Sequence, residues 1–141
     1  MAWLPRSAFR RPRSEWRLLA TAAALLPLLR LLLLVAPFEV VNRRVRAAVR
    51  GGARVTGDDP AAARVAWAVS AAARRVPFAT CLPQALAVQL LLGRRGIAST
   101  LWLGARRTGA GRFSAHAWVR CGDRFVIGGP TEGFALFPPL P

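Results

Sequence analysis

The residues with the clearest potential for chemistry are one histidine and two cysteines. His116 lies in the stretch FSAHAWVR, and the two thiols are Cys81 and Cys121. A thiolate is a strong nucleophile, and an imidazole beside it can take its proton and later return it. A single histidine and two remote thiols give no CxxC or Cys/His spacing typical of zinc. We therefore expect no metal site, and we test whether a thiol and the imidazole can form a catalytic pair.

The two cysteines differ in their predicted surroundings. In TCLPQALAVQLLLGRRGI, Thr80 is a candidate N-cap and Gly96 a candidate left-handed residue after the last turn. Cys81 would then begin a buried helix, where the positive end of the helix dipole stabilises a thiolate. A free cysteine is also often a small buried apolar residue, and position alone does not separate the two interpretations. Cys121 ends a predicted strand beside a turn, which favours a structural role.

The elements that must position His116 are strands. From Ser99 onward the pattern becomes β, with two-residue alternation and turn residues between runs. This alternation places His116 and Trp118 on one face of the central strand. The turn is Gly122–Asp123, the loop before it is TGAG, and the final residues are predicted to be irregular. The three predicted strands are STLWLGARR (99–107), RFSAHAWVRC (112–121) and RFVIGG (124–129).

The front of the chain is basic over residues 1–17 and then apolar from Leu18 to Phe38. Such a run resembles a signal peptide, a membrane span or a helix in contact with a membrane surface. No A-x-A-like cleavage site follows it, Arg30 lies near its middle, and Pro27 interrupts it. We therefore favour a helix, closed by Pro37, that is buried or faces a partner.

Two more helices are predicted before the cysteine helix. One covers Val40 to Val49 and ends at Gly51–Gly52. The other covers Ala61 to Val76, with Asp59 as N-cap and Pro60 in the first turn, and Pro77 ends it. Helices followed by an antiparallel sheet of three or more strands make an α+β fold, and 141 residues suit one ordinary domain.

The chain is strongly basic: all 21 basic residues are arginine, against six acids, for a net charge of +15. This charge attracts polyanions, acidic peptides or anionic lipid head groups. The arginines are spread along the chain in short pairs instead of clustering with aromatic residues, so we do not expect a nucleic-acid module.

Several stretches together resemble the protease protein of lasso peptide biosynthesis, a papain- or transglutaminase-like cysteine peptidase. They are LLPLLRLLLLVAPFEVV, the TCLPQAL helix, LWLGARR and FSAHAWVRCGDRFVIGG. The resemblance implies that residues 51–141 form the peptidase core and that residues 1–50 form a basic, apolar helical region. It also implies that Cys81 is the nucleophile and His116 the general base and acid, and that no cofactor is needed.

The resemblance further implies a substrate and partners. The enzyme would remove the leader from a ribosomally made precursor peptide, in the cytoplasm or in contact with the membrane. The chain is similar to the split form of the family, in which a separate small protein recognises the leader. An ATP-dependent lasso cyclase would then close the ring.

The chain departs from the family pattern at one position. An aspartate usually lies twelve residues after the histidine, and Gly128 occupies that position here. An uninterrupted hairpin would place His116 opposite Gly129 and leave Asp123 roughly 20 Å away along the strand. A backbone carbonyl, a water or Glu132 could hold the imidazole instead, because the third member of such a site orients the base and does not react.

Two other functions remain open on the sequence. An amine could intercept the thioester, as in a thiol acyltransferase or transglutaminase. The chain could also be a non-catalytic scaffold that docks peptides or membranes through residues 1–50. Within the site, Gln84 lies one turn after Cys81, where a helix-surface hydrogen bond is its favoured role, and Trp118 is a candidate wall.

Overall fold

A computed structural model of the protein describes residues 12–48, 60–77 and 79–138. Over these ranges the chain forms helices followed by one antiparallel sheet of strand order β3-β2-β1-β4, which confirms the α+β fold. The helices are α1 (Arg13–Val35), α2 (Phe38–Ala48), α3 (Pro60–Ala73) and α4 (Cys81–Arg94). The strands are β1 (Thr100–Thr108), β2 (Arg112–Cys121), β3 (Arg124–Ile127) and β4 (Ala135–Leu136).

Helix α1 buries one stripe and exposes the opposite side. Its buried residues recur every three or four positions, the spacing of a single helix face. They are Leu18, Ala22, Leu26 and Leu29. This face packs against α2, α3 and α4, while Leu31 and Leu34 are 59% and 65% exposed. Within the described ranges, α1 is the one helix that is long and apolar enough to cross a membrane. Core helices of soluble proteins and signal sequences can have the same length and composition.

The boundaries of the first three helices largely follow the prediction. Helix α1 runs through Pro27 and ends at Val35, just before Pro37. Helix α3 begins at Pro60, as predicted, but ends at Ala73 and not at Val76. A turn follows, in which the N–H groups of residues 75 and 76 both bond to the carbonyl of residue 72. Asp59, Val49, Gly51–Gly52 and the boundary between residues 50 and 51 lie outside the described ranges.

Helix α4 is the centre of the fold. It contacts α1, α2 and α3 on one side and β1, β2 and β3 on the other, and most of its residues are buried. It ends as predicted: Gly96 adopts a φ of +73°, and the Ile97 N–H bonds to the Leu92 carbonyl. Because α4 is packed on both sides, its first residue, Cys81, is held in a fixed place beside the sheet.

The strands β1 and β2 form a regular hairpin in which Gly104 lies opposite His116. Ala117 and Val119 belong to the core beneath the helices, so the side chains of His116 and Trp118 project from the other face, as the alternation predicted. The prediction of an irregular tail was partly wrong. Strand β4 pairs with β1, and Phe137 donates its N–H to the Leu103 carbonyl, which satisfies polar groups along an otherwise open strand edge.

The β2–β3 hairpin contains a β-bulge. Its turn has Gly122 at φ +56°, and Arg120 pairs with Phe125, but Val119 pairs with Ile127 instead of Val126. One extra residue on β3 therefore shifts the register, and the paired strand ends at Ile127. The predicted pairing of His116 with Gly129 was wrong for this reason.

The packing of α1 can be tested with two leucines on its opposite faces. Leu26 is fully buried and Leu31 is 59% exposed. Leu26→Ala should lower the free energy of unfolding by about 2–5 kcal/mol, because it leaves a cavity in the core. Leu31→Ala should change it by less than about 0.5 kcal/mol. Urea unfolding measures both, and equal effects would contradict the packing of α1 on the core.

Candidate active site

Cys81 and His116 line the same cavity, which has a volume of about 250 Å³. The cavity lies where the start of α4 meets the middle of β2 and the end of β3. Its remaining lining residues are Ser70, Gln84, Ala117, Ile127 and Gly128. Both residues that the sequence singled out thus contribute to the lining of one cavity, although 35 positions separate them in the chain.

The Cys81 thiol lies in the first turn of α4. Cys81 is half-buried and is the first residue of the helix, where N–H groups have no partner within the helix. Thr80 occupies the N-cap position, but its side chain makes no capping hydrogen bond, contrary to the prediction. Pro83 has no N–H, so the N–H groups of Cys81 and Leu82 are the free donors of the first turn.

The imidazole of His116 is held by a backbone carbonyl. Its Nε2 lies 2.7 Å from the carbonyl oxygen of Gly128, the position at which the resembled family usually has an aspartate. A carbonyl oxygen only accepts hydrogen bonds, so Nε2 carries the proton and Nδ1 of the neutral ring is the free base. No hydrogen bond joins the described side chains of Cys81 and His116, and such bonds are often long before substrate binds.

Gly128 can hold the ring only because it is glycine. Its φ is +113°, and a Cβ atom would lie 2.4 Å from Cδ1 of Trp118. An aspartate therefore does not fit at this position. The next carbonyl is used in the same way, because Trp118 donates its indole N–H to the Gly129 oxygen at 3.0 Å. Two successive carbonyls thus fix two aromatic side chains of β2.

Aromatic rings pack against the imidazole from behind. The ring of Trp118 meets it edge-on with centroids 4.7 Å apart, and the ring of Phe134 lies 5.7 Å away. Phe134 also packs on Trp118, and the Arg106 guanidinium covers its outer side at 4.6 Å. Trp118 is fully buried and supports His116 without lining the cavity. Sequence reasoning missed Phe134, since no spacing signal links the tail to the histidine.

The family of the chain follows from its match to a model of known proteins. A family model described as the transglutaminase-like superfamily matches residues 22–138. The chain belongs to the transglutaminase-like superfamily. Searches of curated proteins and of solved structures each find no match. Superfamily membership indicates a cysteine-peptidase or acyltransferase type of activity.

This transglutaminase-like chain has no carboxylate among the residues that line the cavity. Asp123 is a turn residue, as predicted, and its carboxylate lies 3.5 Å from the guanidinium of Arg120. Glu132 is exposed. The side-chain N–H of Gln84 donates a hydrogen bond to the Ala79 carbonyl at 2.7 Å, as predicted for a hydrogen bond on the helix surface. This bond joins the loop before α4 to the helix. The backbone carbonyl of residue 128 is therefore the group that orients the imidazole.

The second thiol lies away from the cavity. Cys121 is 2% exposed in the core, and burial raises the pKa of its thiol, which keeps it protonated and unreactive. This supports the structural role predicted for it. Among the described residues, no group of three or more His, Cys, Asp or Glu side chains could hold a metal ion.

Substitutions at Gly128 and Gly129 can distinguish the cost of a close contact with Trp118 from the cost of backbone strain. Gly128 and Gly129 both have positive φ, but a Cβ atom at Gly129 would meet nothing within 4 Å. Gly129→Ala should therefore cost about 1–2 kcal/mol of stability through strain alone. Gly128→Ala should cost at least about 1–3 kcal/mol more, because its methyl group must displace Trp118. Urea unfolding measures both variants, and equal losses would contradict the close packing of Gly128 on Trp118.

Proposed function

We propose that this chain is a cysteine peptidase that removes the leader from a lasso precursor peptide. One observation supports it most strongly: Cys81, at the start of α4, and His116, whose Nε2–H is bound to the Gly128 carbonyl, line the same cavity. The motifs that resemble lasso proteases include both residues, and the superfamily supports thiol-based acyl transfer.

In the first half of the reaction, Nδ1 of His116 takes the proton of the Cys81 thiol. The thiolate sulfur attacks the scissile carbonyl carbon, and the carbonyl electrons move to the oxygen. The N–H groups of Cys81 and Leu82 stabilise that oxyanion, as donors at a helix start do. The C–N bond then breaks, and the departing amine receives the proton from Nδ1, leaving the leader as a thioester on Cys81.

In the second half, water releases the leader. Nδ1 of His116 takes a proton from the water, whose oxygen attacks the thioester carbon. The C–S bond breaks, the leader leaves as a free acid, and the proton returns to the sulfur. Throughout, Gly128 keeps Nε2–H occupied, so the same nitrogen serves as base and as acid.

We further propose that the chain works in the cytoplasm with a separate leader-recognition protein and a lasso cyclase. Ribosomal precursor peptides are made in that compartment. The exposed leucines of α1, including Leu31 and Leu34, offer an apolar surface for the recognition protein, and membrane binding is the alternative use of the same face. The net charge of +15 favours an acidic leader or partner.

The proposal can be tested by reconstituted cleavage. The purified chain is mixed with a lasso precursor and the leader-recognition protein encoded beside it, and the products are followed by mass spectrometry. Cys81→Ala should abolish cleavage, because the nucleophile is lost. His116→Ala should lower the rate by about 10²–10⁴-fold, the usual contribution of a general base and acid.

Cys121→Ala is the matched control and should cleave at the rate of the unmodified chain. Undiminished cleavage by Cys81→Ala would overturn the proposal. A product in which an added amine is joined to the leader, in place of a free acid, would identify an acyltransferase. Maturation that survives loss of both Cys81 and His116 but not deletion of residues 18–38 would identify a scaffold.

A further inference from the structure

Strand β2 is paired along its length on one side only. Every residue from Arg112 to Arg120 has a partner on β1. On the other side, residues 119, 120 and 121 pair with β3, which ends at Ile127 after the bulge. Within the described ranges, the edge of β2 over residues 112–118 therefore has no strand beside it on the β3 side. We call residues 113–115 of this stretch the open edge.

The backbone groups of Ala115 are directed toward this open side. The Leu103 carbonyl of β1 accepts an N–H from the residue after β4, so it points away from β2. Residues two apart in a strand use the same side, so residue 105 also points toward β4, and Ala115, which lies opposite it, is not bonded to it. The Ala117 carbonyl lies on the β3 side, where a Cβ atom at Gly128 would be 2.8 Å from its oxygen. By the same alternation, the N–H and C=O of Ala115 point away from β1.

The described chain after β3 leaves this edge uncovered. The carbonyls of residues 128 and 129 bond to the side chains of His116 and Trp118, on the sheet face away from the helices. Phe134 packs on Trp118 on that same face. Ala115 is exposed. The chain therefore crosses one face of the sheet instead of continuing alongside β2.

The open edge leads into the cavity that Cys81 lines. Ala115 is followed by His116 and Ala117, and both of these residues line that cavity together with Cys81. Ala115 and Ala117 are two positions apart, which is about 7 Å along a strand. A peptide strand paired with Ala115 therefore reaches the cavity within two or three of its own residues.

The chemistry around the open edge suits an extended peptide of acidic character. Extended peptides commonly bind an exposed strand edge by adding a strand, with affinity from main-chain hydrogen bonds. The β1–β2 hairpin, from Thr100 to Cys121, contains four arginines and no acidic residue. Two of them, Arg107 and Arg112, are exposed beside the open edge. Their positive charge attracts an acidic peptide.

We propose that the open edge of β2 binds an extended segment of the precursor peptide as an added strand and leads it into the cavity of Cys81. The Ala115 N–H donates to a carbonyl of the peptide, and the Ala115 carbonyl accepts an N–H from it. This inference rests on the proposed peptidase function and adds how the substrate is held.

Exchange of the Ala115 amide proton with water tests the inference. ¹⁵N-labelled Cys81→Ala is studied by solvent-exchange NMR, alone and with a synthetic peptide that spans the junction of leader and core in the precursor. In the free chain, the Ala115 N–H should exchange at least about tenfold faster than the Ser114 N–H, which points toward β1. Saturating peptide should slow the Ala115 exchange at least about tenfold, because its N–H gains an acceptor.

Unchanged exchange of the Ala115 N–H at saturation would overturn the inference. So would binding too weak to saturate at about 1 mM peptide. Equal slowing by a scrambled peptide of the same composition would reduce the effect to charge attraction and contradict strand pairing. Slow exchange in the free chain that depends on protein concentration would assign the edge to a second copy of the chain, which also contradicts the inference.

Two substitutions at Ala115 test the same hydrogen bond by affinity. Ala115→Pro removes the N–H, and proline is tolerated in a strand where its nitrogen faces outward. In the Cys81→Ala background it should weaken binding of the labelled junction peptide about tenfold, measured by fluorescence anisotropy. Ala115→Val is the matched control, because it has a similar size and keeps the N–H, and it should bind within about twofold of Cys81→Ala. Equal affinities of the two variants would contradict the inference.

These measurements separate the open edge from the chemistry. Undiminished cleavage by Cys81→Ala would overturn the proposed nucleophile, while slowed exchange of the Ala115 N–H by the junction peptide would still support the edge. Cleavage that depends on Cys81, with unchanged exchange at Ala115, would overturn the edge alone.

Discussion

The hydrogen bond from Nε2 of His116 to the Gly128 carbonyl is the interaction on which the site depends. It fixes the tautomer of the ring and leaves Nδ1 as the only nitrogen that can exchange a proton with a thiol. The bulge in β3 brings this carbonyl to the ring, and only glycine allows the chain to approach Trp118 so closely. A carboxylate is therefore not required for orientation, although the carbonyl adds no negative charge to stabilise an imidazolium.

The rest of the fold fixes the position of the Cys81 thiol. Helix α4 is enclosed by three helices and by the sheet, so the position of Cys81 is set by the whole core and not by one contact. The first turn of α4 has no side-chain cap, so N–H groups beside the thiol have no partner within the helix, at some cost in helix stability.

Much of this arrangement could be predicted from local sequence signals. The start of α4 at Cys81, its termination just before Gly96, the strand around His116 and the turn at Gly122 all follow from helix, strand and turn preferences that act over a few residues. That Cys81 and His116 line one cavity could also be anticipated, because a helix that starts with a thiol and packs on a sheet places the thiol near a strand.

The features that could not be predicted all depend on contacts between distant segments. A bulge is one extra residue in a strand, and nothing in RFVIGG shows whether pairing continues or slips. Phe134 lies beside the imidazole because the next residues form β4 and pair with β1. This pairing joins segments that are far apart in the chain, and no periodicity in the tail predicts it. The exposed and buried faces of α1 become clear only once the other helices are in place, since both faces are rich in leucine.

The orientation of the single histidine can be measured directly. Long-range ¹H–¹⁵N correlation NMR on tag-free Cys81→Ala, under conditions in which the ring is neutral, reads the tautomer of His116 with no other histidine signal present. We expect one tautomer, protonated at Nε2, because the Gly128 carbonyl accepts that proton. A ring protonated at Nδ1, or a rapid mixture of both tautomers, would show that the carbonyl does not hold the imidazole and would contradict this description of the site.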